Sequence, residues 1–180
     1  MTVAMTNEPP LPDGISEKHV RTDGRFAQYK GILSLIGLGG LLLAALSGVM
    51  GGSKNPEFRR SGPSATISVT APEILRNGEF FELRITIEAT RAIAHPTVGI
   101  SSSYWRDLTI NTMIPAADKE SFADGVFRFE YPALNAGDRL EIKVDGQVNP
   151  TLFGGTKGFI SLSDDKTEMA RMPLKLRVLP

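Results

Sequence analysis

The feature that most constrains this chain is an uninterrupted apolar run near its N-terminus. From Ile32 to Met50 the sequence reads ILSLIGLGGLLLAALSGVM, with no charge and only Ser34 and Ser47 as polar side chains. A helix of about 19 residues is long enough to cross the roughly 30 Å hydrocarbon core of a bilayer. The sequence therefore predicts a transmembrane helix over residues 31–52, with a short tail before it and one folded domain after it.

A removable signal peptide is the alternative interpretation of this run. Residues 45–47, Ala-Leu-Ser, fit a cleavage site with small residues at both ends. The thirty preceding residues include four acidic side chains, however, and are longer than the basic start of a signal peptide. These features favour an uncleaved signal-anchor.

The residues that flank the run predict how the chain is oriented. Basic residues near a membrane helix tend to stay in the cytoplasm. Four basic residues precede the run, and three follow it closely: Lys18, Arg21, Arg25 and Lys30 before it, and Lys54, Arg59 and Arg60 after it. We therefore expect a cytoplasmic N-terminus and an extracytoplasmic C-terminal domain. Residues 1–30 have few large aliphatic side chains and predict a flexible tail. Residues 53–65, rich in glycine, serine and proline, predict a linker.

Composition excludes several classes of function. The formal net charge of zero argues against an electrostatic grip on nucleic acid. The absence of cysteine removes disulfides, thiol catalysis and cysteine-based metal sites. Bacterial envelope proteins often lack cysteine, whereas secreted animal domains of this size more often contain a pair. The inner, cytoplasmic membrane of a bacterium is the predicted location, with the domain in the periplasm.

From Thr66 onward the apolar period changes from that of a helix to that of a strand. In residues 80–88, for example, apolar and charged side chains alternate, which is typical of a strand with one face in a core. Over residues 66–180 the pattern predicts an all-β, antiparallel, immunoglobulin-like sandwich of seven to eight strands. Three details of this prediction are specific. Leu108, Ile110, Thr112 and Ile114 share one face, a short turn of helix is possible over residues 116–123, and a strand ends before 145–146.

Three segments resemble bacterial immunoglobulin-like modules. Residues 71–87, APEILRNGEFFELRITI, look like their A–B strand region, and residues 134–144, LNAGDRLEIKV, look like the turn and F strand of CARDB-type adhesion domains. Residues 174–180, LKLRVLP, resemble their closing strand. The resemblance, over residues 66–180, implies an envelope location, a role in adhesion or scaffolding, and no catalysis.

An aromatic segment between two predicted strands is the candidate interaction site. Tyr104, Trp105, Arg106 and Asp107 follow three serines, and tyrosine, tryptophan and arginine dominate interface hot spots. The alternative is that Trp105 fills the sandwich core and the charged pair lies on the surface. A second candidate lies in the predicted membrane helix, where Gly40, Ala44, Gly48 and Gly52 recur at i+4. Such small faces let helices approach closely in lipid, although glycine and alanine are also common there by composition alone.

Other polar clusters do not form catalytic or metal signatures. His95 stands alone beside a proline, without the carboxylate and nucleophile of a triad. The acidic group at 164–168 lacks the spacing of a calcium loop, and Met169 and Met172 have no histidine or cysteine partner. The glycine-rich residues 153–158 do not open a helix, as a phosphate site would require. We predict no catalytic residue, no metal ligand and no cofactor.

Together these patterns predict a membrane-anchored, extracytoplasmic module for protein interaction or scaffolding. Its expected partners are the lipid bilayer and a protein, either another membrane protein or a second copy of the chain; nucleic acid is not expected. The alternative is a solute- or metal-handling accessory domain of an envelope complex. An exposed aromatic patch would favour the first function, whereas an enclosed pocket lined by His95 or the methionines would favour the second. Enzymatic activity is not predicted.

Overall fold

The alternating apolar pattern of the C-terminal region folds into two β-sheets that pack face to face. A computed structural model describes residues 13–16, 29–49, 54–150 and 152–180. The strands are, in chain order, β1 Glu57–Ser61, β2 Ala65–Thr70, β3 Ile74–Arg76, β4 Phe80–Ala89, β5 Pro96–Ser101, β6 Leu108–Ile114, β7 Lys119–Ala123, β8 Val126–Glu130, β9 Arg139–Val148, β10 Thr156–Asp164 and β11 Thr167–Leu179.

The two sheets have different numbers of strands. The first has the order β1-β2-β4-β9-β6, and the second has the order β3-β11-β10-β5-β8-β7. Neighbouring strands are antiparallel, except that β3 runs parallel to β11. The sheets therefore end in four edge strands, of which β6 and β7 follow one another in the chain.

The core lies between the central strands of both sheets. Inward side chains of β2, β4 and β9 face those of β5, β10 and β11, and the largest of them have essentially no exposed surface: Ile67, Leu83, Ile85, Ile87, Ile100, Ile142, Ile160, Leu162 and Leu176. Burying an aliphatic side chain of this size contributes about 1.5–3 kcal/mol. Since the chain has no disulfide, this packing accounts for the stability of the sandwich.

The predicted sandwich is thus confirmed, but its strand number was underestimated. Eleven strands occur in the described part of the chain, because β1, β3 and β7 gave no alternating signal. β1 lies within residues 53–65, which were expected to be a linker, and β7 lies where a turn of helix was considered. Four of the five residues of β1 and all five of β7 are exposed. An edge strand with little burial has no reason to alternate in polarity.

A bulge in β6 corrects the predicted face of that strand. Pairing with β9 shifts between Ile110 and Thr112, so that Asn111 is an extra residue. Because one inserted residue moves every later side chain to the other face, Met113 packs inward with Leu108 and Ile110. Thr112 instead donates a hydrogen bond to Asp145 at 3.0 Å, and Ile114 is exposed.

Strand β9 continues through residues 145–146, where a break was predicted. Gly146 pairs with Phe81 of β4 and with Ile110 of β6. A Cβ atom on Gly146 would lie 2.6 Å from the Phe81 ring and 2.8 Å from the Thr109 carbonyl oxygen. The glycine is therefore a site of close approach within the strand and not a turn.

One helix is described before the strands, α1, from Lys30 to Leu46. Hydrogen bonds from the Ser47 hydroxyl to the Ala44 carbonyl and from the Gly48 amide to the Ala45 carbonyl follow its last turn. Its large apolar side chains are distributed around the helix, and each is more than half exposed: Ile32, Leu33, Leu35, Ile36, Leu38, Leu41, Leu42, Leu43 and Leu46. Among the residues that the structure describes, no helix combines the length and the apolarity needed to cross a membrane.

Parts of the N-terminal predictions fall outside the described residues. The tail predicted over residues 1–30 is described only at 13–16 and 29–30, and the predicted helix end at 50–52 is not described. The flexible tail, the span over residues 31–52 and its orientation therefore stay predictions.

Candidate functional site at the open edge of the sandwich

The side of the sandwich where β6 and β7 end their sheets has an apolar cleft. The cleft has a volume of about 340 Å³, at the lower end of the range for small-molecule pockets. β6 bounds it in the first sheet, and β7 and β8 bound it in the second. Its lining is Trp105, Leu108, Ile110, Met113, Glu120, Phe127 and Phe129. Six of these seven side chains are apolar, and the exception, Glu120, lies on β7.

Four aromatic side chains, called the aromatic row below, follow the second sheet toward this edge. Trp105 has its ring centroid 5.6 Å from those of Phe127 and Phe129, and Phe122 lies 4.7 Å from Phe127. The rings are tilted by 40° to 58°, which is within the favoured range for aromatic pairs. Burial decreases along the row from Phe129, which is buried, to Phe122, which is 59% exposed.

Trp105 is half-buried in this cleft, where the turn between β5 and β6 places it. Its indole Nε1 is buried and has no hydrogen-bond partner. A buried donor without a partner costs about 1–3 kcal/mol. The position of the ring therefore carries a free-energy cost that its contacts with the aromatic row must offset.

The predicted interaction residues are divided among three environments. Tyr104 is only 4% exposed and belongs to the core, and burial raises the pKa of its phenol far above the ordinary value. Trp105 lines the cleft. Arg106 and Asp107 are exposed and form an ion pair at 3.5 Å. Tyr104 is thus not accessible to a partner, and Trp105 is the member of this segment that a ligand in the cleft would contact.

The small-residue face of α1 is described in part. Gly40 is exposed, whereas Ala44 and Gly48 are partly buried. A Cβ atom on Gly40 would meet nothing outside its own helix within 4 Å. Gly52 lies outside the described residues. The predicted helix-packing role stays a prediction.

Sequence analysis did not find the strand residues that complete the cleft. Phe127 and Phe129 were assigned to a strand face, but nothing local showed that this face stays partly open at the edge. Met113 was missed because of the bulge. Glu120 and Phe122 were missed because β7 was not predicted. An isolated phenylalanine beside acidic residues, in a segment without helical periodicity, was the available signal for them.

The outer face of the second sheet has a separate, polar concavity of about 490 Å³. Four residues that pair across adjacent strands form its middle row: Ser121, Arg128, Gly99 and Ser161. The three small residues of this row make its floor. Acidic and basic side chains are balanced around it. Arg171, beside the row, stacks on Phe159 at 4.0 Å and pairs with Glu168. Because its arginines already have partners, this concavity is the weaker candidate for a binding site.

The outer face of the first sheet consists largely of ion pairs. Glu82 contacts Arg84 at 2.7 Å and Lys143 at 3.0 Å, and these hydrogen bonds lower the pKa of its carboxyl. Arg59 pairs with Glu88 at 2.8 Å. These charges satisfy one another at an exposed surface, where each pair contributes at most about 1 kcal/mol.

His95 and the acidic turn that follows β10 are also surface features. His95 lies 3.6 Å from Glu130, and its backbone amide donates to Asp164 at 2.8 Å. Within the described ranges no three histidine, cysteine, aspartate or glutamate residues are grouped so that they could hold a metal ion. Met113 lines the cleft, and Met172 is buried in the core.

Comparisons with known proteins give structural neighbours at low sequence identity. No protein-family model matches the sequence, and no curated protein matches it. Solved structures similar to the chain include the RrgA Jo.In complex (8% identity, TM-score 0.44, covering 66% of this chain and 82% of that one). They also include the CARDB domain of a Pyrococcus furiosus protein in complex with di-metal ions (10% identity, TM-score 0.41, covering 67% of this chain and 93% of that one). A third is a non-cellulosomal cohesin from Archaeoglobus fulgidus (12% identity, TM-score 0.38, covering 63% of this chain and 91% of that one).

Proposed function

We propose that this protein is an interaction module whose sandwich receives a protein partner at the cleft between β6 and β7. The observation that carries the proposal is the cleft itself. It is apolar and open, and an exposed phenylalanine, Phe122, extends it to the edge of the second sheet. An apolar concavity of this kind is a common place for a ligand or a partner's side chains to bind.

The residue types in the cleft support a protein partner. Tryptophan, phenylalanine and methionine are enriched in protein interfaces, and all three line the cleft as Trp105, Phe127 and Met113. A hot spot needs a concave, desolvated place for an anchoring side chain. A cleft of about 340 Å³ has room for a few such side chains.

The other surfaces of the sandwich contrast with this edge. The outer face of the first sheet is covered by paired charges, including those of Glu82, Arg84 and Lys143. A partner that covered this face would have to desolvate those charges, and desolvation offsets most of what ion pairs contribute. The cleft has a single charged residue, Glu120, in its lining, so a partner would desolvate fewer charges there, which is why we assign the partner to it.

Attachment of the module to a membrane is the second part of the proposal. Apolar side chains cover every side of α1, and a helix of this kind needs an apolar surrounding. We infer that α1 and the apolar residues after it place the sandwich at a bacterial inner membrane, with the sandwich in the periplasm.

A reporter active only in the periplasm, fused after Pro180, should be active, and mature protein should keep its N-terminal tail. A cytoplasmic signal, or an N-terminus near Gly48, would overturn this assignment.

Site-specific photo-crosslinking in the native cells tests the cleft. A photoreactive amino acid at Ile110 or Phe122 should give a discrete adduct with another protein. Matched positions on the outer faces, Lys143 and Lys175, should give none. Equal adducts at all four positions, or crosslinking of the cleft to lipid alone, would contradict the proposal.

A further inference from the structure

The strand edges that flank the cleft differ in how well they could pair with an added strand. β6 is interrupted by the bulge at Asn111, and bulges protect edges because they twist the strand away. β7 pairs with β8 in an unbroken register from Lys119 to Ala123 and contains no proline. No other described strand pairs with its outer edge. The backbone of β7 is therefore the better template for another strand.

The side chains of β7 that face the cleft are an acid and an aromatic residue. Phe122 packs against Phe127 with tilted rings, and 59% of its surface is exposed. Glu120 lines the cleft and forms no ion pair within the described part of the chain. An added strand would place its own side chains about 4.5–5.5 Å from these two residues. It would therefore find one apolar and one acidic neighbour.

Acidic residues dominate this edge. Asp118 precedes β7 and Asp124 follows it, and both are exposed. Neither carboxylate forms an ion pair with any residue that the structure describes. The one cation of the strand, Lys119, faces away from Glu120 and lies 3.9 Å from Glu130. The edge thus offers three unpaired carboxylates and calls for a basic partner.

We propose that the partner is an extended, basic peptide segment that adds a strand to the β7 edge. Its backbone pairs with β7, an apolar side chain covers Phe122 and reaches the cleft, and a lysine or arginine two residues away faces Glu120. This inference rests on the proposed function and specifies the chemistry of the partner. Arginine suits the position because its stem can lie on the aromatic row while its guanidinium binds the carboxylate.

Three synthetic peptides test this with the full chain in mild detergent. The first is a nine-residue peptide of alternating threonine and valine in which one central valine is replaced by arginine. The second has glutamate in place of the arginine. The third keeps the arginine and is made in two forms, with N-methyl groups on one or on the other set of alternate backbone amides, so that each form lacks the donors of one edge. Binding is read from the emission of Trp105, the chain's single tryptophan, and located by amide hydrogen exchange.

The arginine peptide should change Trp105 emission and slow exchange in β7, but not in β1, β3 or β6. The glutamate peptide should bind at least about fivefold more weakly, and the peptide methylated on its pairing edge should not bind. Glu120→Gln should reduce the preference for arginine. Glu57→Gln, at an exposed position on the far edge strand β1, is the matched control and should leave that preference unchanged.

Equal binding of the arginine and glutamate peptides would overturn the assignment of a basic segment. Undiminished binding of both alternately methylated forms, or exchange protection at another edge, would overturn strand addition at β7. Failure of all peptides to bind, with the cleft adducts at Ile110 and Phe122 still present, would reject this inference alone. Loss of those adducts as well would reject the proposed function.

Discussion

The closed centre of the sandwich and its open edge are built from the same alternating pattern, yet they differ in burial. At the centre, Ile85 of β4 and Ile160 of β10 have no exposed surface. At the edge, Ile110 of β6 and Phe127 of β8 occupy equivalent inward positions and are only partly buried. The difference arises because β6 ends its sheet and has a neighbour on one side only, and because β8, although it has neighbours on both sides, lies next to the edge strand of the other sheet.

This contrast teaches how a binding site can arise without special residues. Inward apolar side chains at the edge are required for the core, but no further strand covers them there. The cost of leaving them exposed is about 25 cal/mol for each Å² of apolar surface. A partner that covers the same surface recovers that free energy, so an incomplete edge is already a site suited to association.

The largest expected effect comes from truncating one isoleucine in each region. Ile85→Ala should lower the free energy of unfolding by about 2–5 kcal/mol, since it leaves a cavity in closed packing. Ile110→Ala should cost about 1–2 kcal/mol, because the edge can relax and is already open to water. Urea unfolding followed by circular dichroism measures both. Equal losses would remove the distinction between centre and edge.

Trp105 tests how much the open edge contributes to the fold. Trp105→Ala should cost less than the roughly 3–5 kcal/mol of a fully buried aromatic residue, because the side chain is only partly buried. It should also weaken the crosslinked adduct at Ile110. Trp105→Phe keeps a ring but removes the unpaired Nε1–H, so its stability should stay within about 1 kcal/mol of the parent. A larger loss for the phenylalanine variant would mean that the second ring of the indole or its N–H stabilises the fold.

Alkaline pH provides a third test, through two buried tyrosines. Burial and the charge of Glu120 raise the pKa of Tyr131 to about 12, and burial raises the pKa of Tyr104 further. Both pKa values exceed the roughly 10 of a tyrosine in the unfolded chain. The two neutral phenols therefore contribute fully to the free energy of unfolding below about pH 10, and this contribution is lost as pH rises through 12. Stability should fall by roughly 1 kcal/mol or more between pH 8 and 11.

Phenolate absorbance combined with unfolding curves measures this loss. Tyr131→Phe should reduce the pH dependence, and Glu120→Gln should lower the pKa of Tyr131. Ionisation of Tyr131 near pH 10 in the folded protein would show that this residue is less enclosed than its 2% exposure indicates.

The smallest effect is expected on the charged outer face of the first sheet. Glu88→Gln removes the ion pair between Glu88 and Arg59, and both of these side chains are well exposed. The loss should be below about 1 kcal/mol and should shrink further in high salt. A larger loss would mean that this face, and not only the edge, depends on specific contacts.

Much of the fold could be predicted from the sequence because burial repeats every second residue in the long strands. In β4 the alternation of Leu83, Ile85 and Ile87 with polar residues gives both the strand and its inward face. The bulge at Asn111 could not be predicted, since nothing in the local pattern distinguishes an inserted residue from a regular one. β3 was too short to give a period at all.

The candidate site was only partly predictable for a related reason. The segment at Trp105 was identified by residue type, but its division into a buried tyrosine and a half-buried tryptophan depends on sheets that are distant in sequence. Phe127 and Phe129 look like ordinary core residues. That they line a cleft follows from the positions of β6 and β7 as edges, and strand order is not encoded in any one strand.

The position of β11 has a consequence for how the protein is made. This strand pairs with β10 along its length and with β3 near its end, and it buries Leu174, Leu176 and Val178. It is also the last of the described strands in chain order. While the ribosome still holds it, the second sheet lacks the strand between β3 and β10, and the earlier strands expose apolar faces that can aggregate. The sandwich can therefore close only after β11 has joined the second sheet, so holdase chaperones would act on it mainly before that moment.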